Sequence, residues 1–156
     1  MLEQKDYLII LLTAILSCFS GPMAFAQSDI DEHRSCSQCN MDRKAFGYSR
    51  MLVQYQDGAA VGVCSLHCAV VEIDANKTRA VKTLLVADRD TRDLLEAEKA
   101  VWVKGGKKRG VMTQRPTWAF ATKTAADVFI RSNGGAISPW SDVLASVRLE
   151  TAQEHR

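Results

Sequence analysis

The chain has 156 residues, of which 47% are hydrophobic and 24% are charged. This composition is typical of a globular protein, and the chain is too short for a multi-domain enzyme. Twenty Lys and Arg against 18 Asp and Glu give a formal net charge of +2, and the charges are spread along the chain, so no nucleic-acid partner is indicated. Thiol chemistry or metal binding is suggested by five cysteines in the first half, Cys18, Cys36, Cys39, Cys64 and Cys68.

An apolar segment near the N-terminus predicts export. Residues 8–19 are almost all apolar but too few to span a bilayer, which takes about 20 residues. Ala24-Phe25-Ala26 fits a signal-peptidase site, so we expect residues 1–26 to be a signal peptide and the mature protein to be periplasmic or secreted. Membrane attachment is expected only if the leader stays uncleaved or if Cys18, which lies in a loose lipoprotein-like box, is lipidated.

Hydrophobic periodicity and turn residues predict an α+β fold of two tandem β-β-α-β units. The first unit, residues 36–88, is predicted to contain strands 46–55 and 60–63 around an Asp-Gly turn, a helix over 65–77 and a strand over 81–87. The second unit, residues 99–145, is predicted to contain strands 99–104 and 117–121, a helix from about 124 to 133 and a strand over 136–140. We expect residues 27–35 to form a flexible arm and residues 146–156 a polar C-terminal tail.

The loop that starts at Cys36 carries a set of soft ligands. Cys36 and Cys39 offer two thiolates, and Met41 adds a thioether, a combination that suits Cu(I), whereas zinc would not require the methionine. Met112 lies in a loop of polar and glycine residues in the second unit and could complete such a site from there. The alternative for both methionines is that they only pack against their neighbours.

Cys64 and Cys68 are four residues apart and therefore share one face of the predicted helix, beside His67. Together with the first pair they approximate a four-cysteine zinc site of the kind found in structural interaction domains. Two alternatives stay open at this point: His67 is a helix-surface residue, or the cysteines form one or two disulfides in an oxidising compartment.

A thiol-disulfide oxidoreductase is the enzymatic alternative, because a Cys-x-x-Cys pair at the start of a helix has a lowered thiol pKa. That context is missing here. Cys36 follows a polar segment instead of a strand, and no helical periodicity follows Asp42. No acid–base pair stands out either, so we predict a metal carrier and not an enzyme.

Several short motifs, in this order, resemble the NosL family of copper-binding accessory proteins of nitrous oxide reductase maturation. The resemblance spans residues 36–145 and rests on Cys36-Ser37-Gln38-Cys39-Asn40-Met41, the Asp57-Gly58 hairpin, Val111-Met112, Thr117-Trp118-Ala119-Phe120 and the Gly134-Gly135 that precedes residues 137–143. It implies a tandem β-β-α-β fold related to organomercurial lyases.

The resemblance also implies a periplasmic or outward-facing protein that takes Cu(I) from a copper donor and delivers it to the apoprotein of nitrous oxide reductase. The family motif falls on Cys36, Cys39 and Met41, and the family's loop methionine falls on Met112. Asn40 stands where the family has glycine. Cys64, His67 and Cys68 are additional to the minimal motif, so another copper enzyme as the client, or a general copper-handling or resistance protein, stays open. A second enzymatic alternative for this chain itself is a lyase that acts on organometallic compounds.

Overall fold

The computed structural model describes residues 28–154. The predicted signal peptide, including Cys18, lies outside the described residues. Within residues 28–154, none of the helices combines the length and the apolar character needed to span a bilayer.

The described residues contain seven strands in two antiparallel sheets. They are β1 Met51–Tyr55, β2 Ala60–Val63, β3 Val81–Ala87, β4 Leu94–Glu96, β5 Val101–Lys104, β6 Thr117–Phe120 and β7 Ala136–Ser138. The sheet orders are β2-β1-β3-β4 and β6-β5-β7, so the first strand of each unit lies between the second and the third. This arrangement confirms the predicted α+β fold of two β-β-α-β units, to which β4 adds an edge strand that the sequence did not predict.

Four helices accompany the sheets in residues 28–154: α1 Ser28–Glu32, α2 Leu66–Ala75, α3 Lys123–Asn133 and α4 Trp140–Glu154. Ser65 caps α2 by accepting a hydrogen bond from the Cys68 amide, as its position in the sequence predicts. Thr122 caps α3 through the Ala125 amide, so this helix begins one residue earlier than the predicted start.

The two terminal segments differ from prediction, because both bury side chains. The expected flexible arm contains α1, in which Asp29 and Ile30 are buried. The described part of the expected tail, residues 146–154, is the second half of α4, where Val147 and Thr151 are buried four residues apart. This helical spacing places them on one face, packed against the rest of the molecule.

Strand β1 starts at Met51, five residues later than predicted. The chain from Asp42 to Ser49 forms consecutive turns. The Asp42 carboxylate accepts hydrogen bonds from the backbone N–H groups of Lys44 and Ala45. The chain before Met51 therefore forms turns instead of the predicted extended backbone. Strand β7 ends before Pro139, since proline has no N–H to donate to the sheet.

One of the two hydrophobic clusters in residues 28–154 contains side chains of both units. Trp102 of β5 stacks on Trp140 of α4 with ring centroids 5.3 Å apart, and both contact a cluster that also contains three cysteines of the first unit. The Asp88 carboxylate, after β3, accepts a 2.6 Å hydrogen bond from the amide of Ala121, after β6. The second unit therefore packs directly behind the thiol-bearing part of the first.

Candidate metal centre

The loop that carries Cys36 and Cys39 is closed by backbone hydrogen bonds. The backbone N–H of Asn40 donates to the Cys36 carbonyl over 2.9 Å, and the backbone N–H of Cys36 donates to the Met41 carbonyl over 2.9 Å. Asn40 has a φ of 62°, a left-handed conformation that glycine adopts freely and asparagine tolerates better than most residues. This turn brings both thiols of the Cys-x-x-Cys pair to the same side of the loop.

Cys64 and Cys68 flank the start of α2. Cys64 directly follows β2, and Cys68 lies in the first helical turn, where its amide donates to the capping Ser65. The two sulfur atoms are 3.7 Å apart. The strand-to-helix corner thus presents its thiols toward the Cys36–Cys39 loop.

The four sulfur atoms form one cluster, in which all lie within 4.8 Å of one another. Cys39 Sγ is 3.4 Å from Cys64 Sγ and 3.8 Å from Cys68 Sγ. A tetrahedral metal with sulfur ligands at about 2.3 Å requires sulfur atoms about 3.8 Å apart, whereas a disulfide requires about 2.05 Å. All four cysteines are free thiols, and their spacing suits a shared metal ion.

Access to the cluster is unequal. Cys36, Cys64 and Cys68 are at most 2% exposed, whereas Cys39 is half-buried. An incoming ligand would therefore reach a bound metal from the side of Cys39.

The buried thiols divide into one that ionises easily and two that retain protons. Hydrogen bonds from Cys64 and Cys68 hold the pKa of Cys36 below its ordinary value. The hydrogen bond to Cys36 raises the pKa of Cys64 to about 12, and hydrogen bonds to Cys36 and Cys64, together with burial, raise the pKa of Cys68. A thiolate at Cys36 is thus ready to bind a cation, and a bound metal would displace the remaining protons.

Glu72 connects the two segments that carry the clustered thiols, the Cys36–Cys39 loop and helix α2. This buried side chain on α2 accepts hydrogen bonds of 2.6 Å from Gln38 and 3.1 Å from the Tyr55 hydroxyl. Asn76 donates a third, over 3.0 Å. Burial, and then the hydrogen bond to Glu72, raise the pKa of Tyr55 to about 12, so its hydroxyl stays a donor at neutral pH.

Glu72 was not among the predicted site residues, although its spacing offered a signal. Glu72 and Asn76 follow Cys68 at intervals of four residues, which places all three on one face of a helix.

Two buried arginines hold the Cys-x-x-Cys loop to the sheet. Arg43 and Arg50, each fully buried, pair with the Asp29 carboxylate at 2.7 Å and 3.0 Å. Arg43 also donates to the Val63 carbonyl, one residue before Cys64. A Cβ at Gly62 would lie 2.6 Å from Arg43 Nη1, so glycine is required there for the guanidinium to fit.

Comparison with known proteins identifies the family. The sequence profile of the NosL family matches residues 27–147, which includes the four clustered cysteines. The chain belongs to the NosL family. The crystal structure of the copper chaperone NosL from Shewanella denitrificans has the same fold, with a TM-score of 0.56 and 19% identity over 72% of this chain and 90% of that chain. A comparison with curated protein sequences finds no match.

The structure also describes the other three predicted ligands, Met41, Met112 and His67. Met41 is half-buried and packs against the same core as the cysteines. Met112 is 42% exposed, with a φ of 55°, and lines a cavity of about 560 Å³ together with the largely buried His67. Within residues 28–154, the four cysteines come together in one cluster that could hold a metal ion, and the roles of Met41, Met112 and His67 stay predictions.

Proposed function

We propose that this NosL-family protein is an exported carrier that binds Cu(I) through its clustered thiols and delivers it to a copper-accepting apoprotein. The observation that carries the proposal is the proximity of the four sulfur atoms, all within 4.8 Å of one another. Thiolates are soft ligands that favour Cu(I), and a copper chaperone with the same family name shares the fold. The proposed role is transport, not catalysis.

The exposure of the thiols supports a handover by ligand exchange. With three thiols buried and Cys39 half-buried, a thiolate or imidazole of the partner would first replace Cys39 at the metal. Each replacement exchanges one metal–ligand bond for another, so copper is never released as a free ion. A copper donor would load the cluster by the reverse sequence.

Met41, Met112 and His67 are our proposed additional ligands. Met41 directly follows the Cys36–Cys39 turn, while Met112 and His67, the residue before Cys68, line one cavity. Neutral thioether and imidazole groups would hold Cu(I) transiently on its way to or from the thiols. The proposed client is nitrous oxide reductase or another copper enzyme in the periplasm or outside the cell.

A structural zinc site is the second candidate. The sulfur atoms of Cys39, Cys64 and Cys68 are 3.4–3.8 Å apart and all four lie within 4.8 Å of one another, which also suits a tetrahedral four-thiolate zinc ion. Zinc of this kind would be required for folding. A thiol-disulfide oxidoreductase fits less well, because Cys36, the easily ionised thiol, is only 2% exposed and out of reach of a protein disulfide.

The test is a competition between Cu(I) and Zn(II) on mature protein purified without oxygen, with a chromophoric Cu(I) chelator as reference. We expect Cu(I) to displace Zn(II). Cys39→Ser and Cys64→Ser should weaken Cu(I) binding by more than the roughly 10–100-fold typical of changes outside the ligand shell. Met41→Leu keeps the packing while removing the sulfur, and Ser37→Ala, on an exposed residue of the same loop, is the control.

Zinc retained against excess Cu(I), together with unfolding upon chelation and no effect of Met41→Leu, would instead establish the structural zinc site. Measurable disulfide reductase activity of the metal-free protein would favour the oxidoreductase.

A further inference from the structure

The loop between β5 and β6 is strongly basic. Residues 104–115, which run from the last residue of β5 through the loop, contain five Lys and Arg and no Asp or Glu. Four of these cations are exposed and Lys104 is half-buried. The exposed ones are Lys107, Lys108, Arg109 and Arg115.

None of the five cations forms an ion pair within residues 28–154. Several cations elsewhere on the described surface have carboxylate partners, as in the pairs of Arg79 with Asp57 at 3.0 Å and Lys123 with Asp127 at 2.7 Å. Other exposed cations, such as Lys77 and Arg148, are single, with no cation next to them in the sequence, whereas the loop has three cations in a row. The loop therefore carries a concentrated positive charge that neighbouring side chains do not neutralise.

The fold holds the shape of this loop. The Lys107 amide donates to the Asn133 carbonyl over 2.7 Å, and a Cβ at Gly106 would lie 2.8 Å from that same oxygen. Near the end of the loop, the buried Glu150 carboxylate accepts hydrogen bonds from the Thr113 hydroxyl at 2.5 Å and from the backbone N–H of Gln114 at 2.7 Å. Both carboxylate oxygens of Glu150 therefore bind these two donors and not the cations of the loop. These hydrogen bonds fix the position of the loop backbone.

The loop lies next to the thiol-bearing helix. Val111 packs in the same core cluster as Cys64 and Cys68, and Val111 and Thr113 line a small cavity together with His67. The cations of residues 107–109 line the larger cavity of about 560 Å³, which His67 also borders. A partner that approaches the N-terminal end of α2 would meet this positive charge.

We propose that the basic loop, residues 104–115, docks an acidic surface of the protein with which this chain exchanges its metal. The inference rests on the proposed function, because it assigns the recognition surface of the carrier. Complementary charge speeds encounter and orients two proteins before close contacts form. The concave shape of the loop and its position beside α2 favour a protruding acidic protein segment over a flat anionic membrane.

The test uses the mature chain and two synthetic copper-accepting peptides. Each peptide contains a Cys-x-x-Cys pair, flanked in one by Asp and Glu and in the other by Asn and Gln. The loop variant is K107E/K108E/R109E, and the control is K77E/K82E/R148E, which reverses three exposed cations elsewhere and changes the net charge equally. We measure the rate of Cu(I) transfer, the binding of metal-free acidic peptide, and the Cu(I) affinity of each variant.

For the wild-type chain, we expect faster transfer to the acidic peptide than to the neutral one, by about tenfold at low salt, and loss of the difference at high salt. The loop variant should transfer Cu(I) to the two peptides at equal rates and should no longer bind the metal-free acidic peptide, while its Cu(I) affinity is unchanged. The control variant should keep the faster transfer to the acidic peptide and the binding of that peptide.

Equal losses in both variants would show a general charge effect and overturn the proposal. So would loop-dependent binding to vesicles containing anionic phospholipid without any effect on peptide transfer. A wild-type chain that fails to bind Cu(I) would contradict the proposed function itself, and the metal-free peptide binding would still decide the docking.

Discussion

The side-chain amide of Gln38 donates a 2.6 Å hydrogen bond to the carboxylate of Glu72, 34 positions away in the sequence. This contact joins the Cys36–Cys39 loop to helix α2, the two segments that carry the clustered thiols. The carboxylate also accepts hydrogen bonds from Tyr55 and Asn76. Glu72 thereby holds the two pairs of thiols in position from outside the cluster.

Removal of the Glu72 carboxylate should destabilise the metal-free protein and weaken metal binding. Glu72→Ala removes the acceptor of the Gln38 and Tyr55 donors, whereas Asn76 keeps its bond to the Glu72 backbone carbonyl. We expect a loss of about 1–3 kcal/mol in the free energy of unfolding. Denaturant titration under reducing conditions measures it. Glu98→Ala, at an exposed carboxylate, serves as the control and should stay within about 0.5 kcal/mol of wild type. Equal stability of the two variants would contradict the role given to Glu72.

Asn40 should be replaceable by glycine but not by valine. Its φ of 62° is accessible to glycine, whereas a β-branched residue there is strained by about 1–2 kcal/mol. We expect Asn40→Gly to be at least as stable as wild type and Asn40→Val to be less stable and to bind metal more weakly. Thermal unfolding and metal titration of both variants check this. If Asn40→Val matched Asn40→Gly in both measurements, the strain assigned to this turn would be refuted.

Asp29 should be essential to the fold, although it lies in a segment that the sequence predicts to be a flexible arm. Its carboxylate is the shared partner of the buried Arg43 and Arg50. Asp29→Asn would leave two buried cations without a counter-charge, and we expect a loss of about 3–5 kcal/mol. Asp31→Asn, at an exposed residue of the same helix, should have little effect. Chemical unfolding of both variants decides the point.

The same carboxylate predicts a loss of stability in acid. Burial alone would raise the pKa of Asp29, but hydrogen bonds and charge from Arg50 and Arg43 outweigh it and hold the pKa below 3.8. The unfolded chain therefore takes up the proton at higher pH than the folded chain. The stabilisation is complete above the unfolded-state pKa and is lost as the pH falls through the lower, folded-state pKa.

Unfolding measured from about pH 6 to about pH 3 should thus show wild-type stability falling below about pH 4. The hydrogen bond from Arg34 likewise lowers the pKa of Asp42, and hydrogen bonds from the Ala59 backbone N–H and then from Arg79 lower the pKa of Asp57. The difference between wild type and Asp29→Asn therefore isolates Asp29. That difference should shrink in acid. If it stays constant over this range, Asp29 does not titrate as stated.

Glu150 should restrain the loop that contains Met112. Its carboxylate accepts hydrogen bonds from Thr113 and Gln114, and bonds of this kind to a charged group contribute about 1.5–3 kcal/mol each. Glu150→Ala should therefore speed tryptic cleavage within this Lys- and Arg-rich loop by about tenfold or more, since cleavage follows local opening. Gln153→Ala, exposed on the same helix, is the control, and equal cleavage of the two variants would count against the restraint.

Local features of the sequence determined the order of elements. The Asp57-Gly58 turn, the capping Ser65 and the periodicity of α2 act over a few residues, so they predict a hairpin and a helix directly. The motif around Cys36 and Cys39 likewise indicated the NosL family, which the family profile confirms. Two predictions failed where a local pattern is compatible with more than one structure. The residues before Met51 were predicted to be a strand and form turns, and the polar residues at the end of α4 were predicted to be a tail and form the exposed face of a helix.

Only the tertiary structure decided which residues meet. Cys39 and Cys64 are 25 positions apart, and Asp29 and Arg50 are 21 positions apart. Whether such groups pair depends on how the whole chain packs, because burial of a charge or of several thiols is favourable only when the fold supplies partners for each. The sequence determined the ligand types and the elements that carry them, and packing alone gathered four thiols into one cluster beside a basic loop.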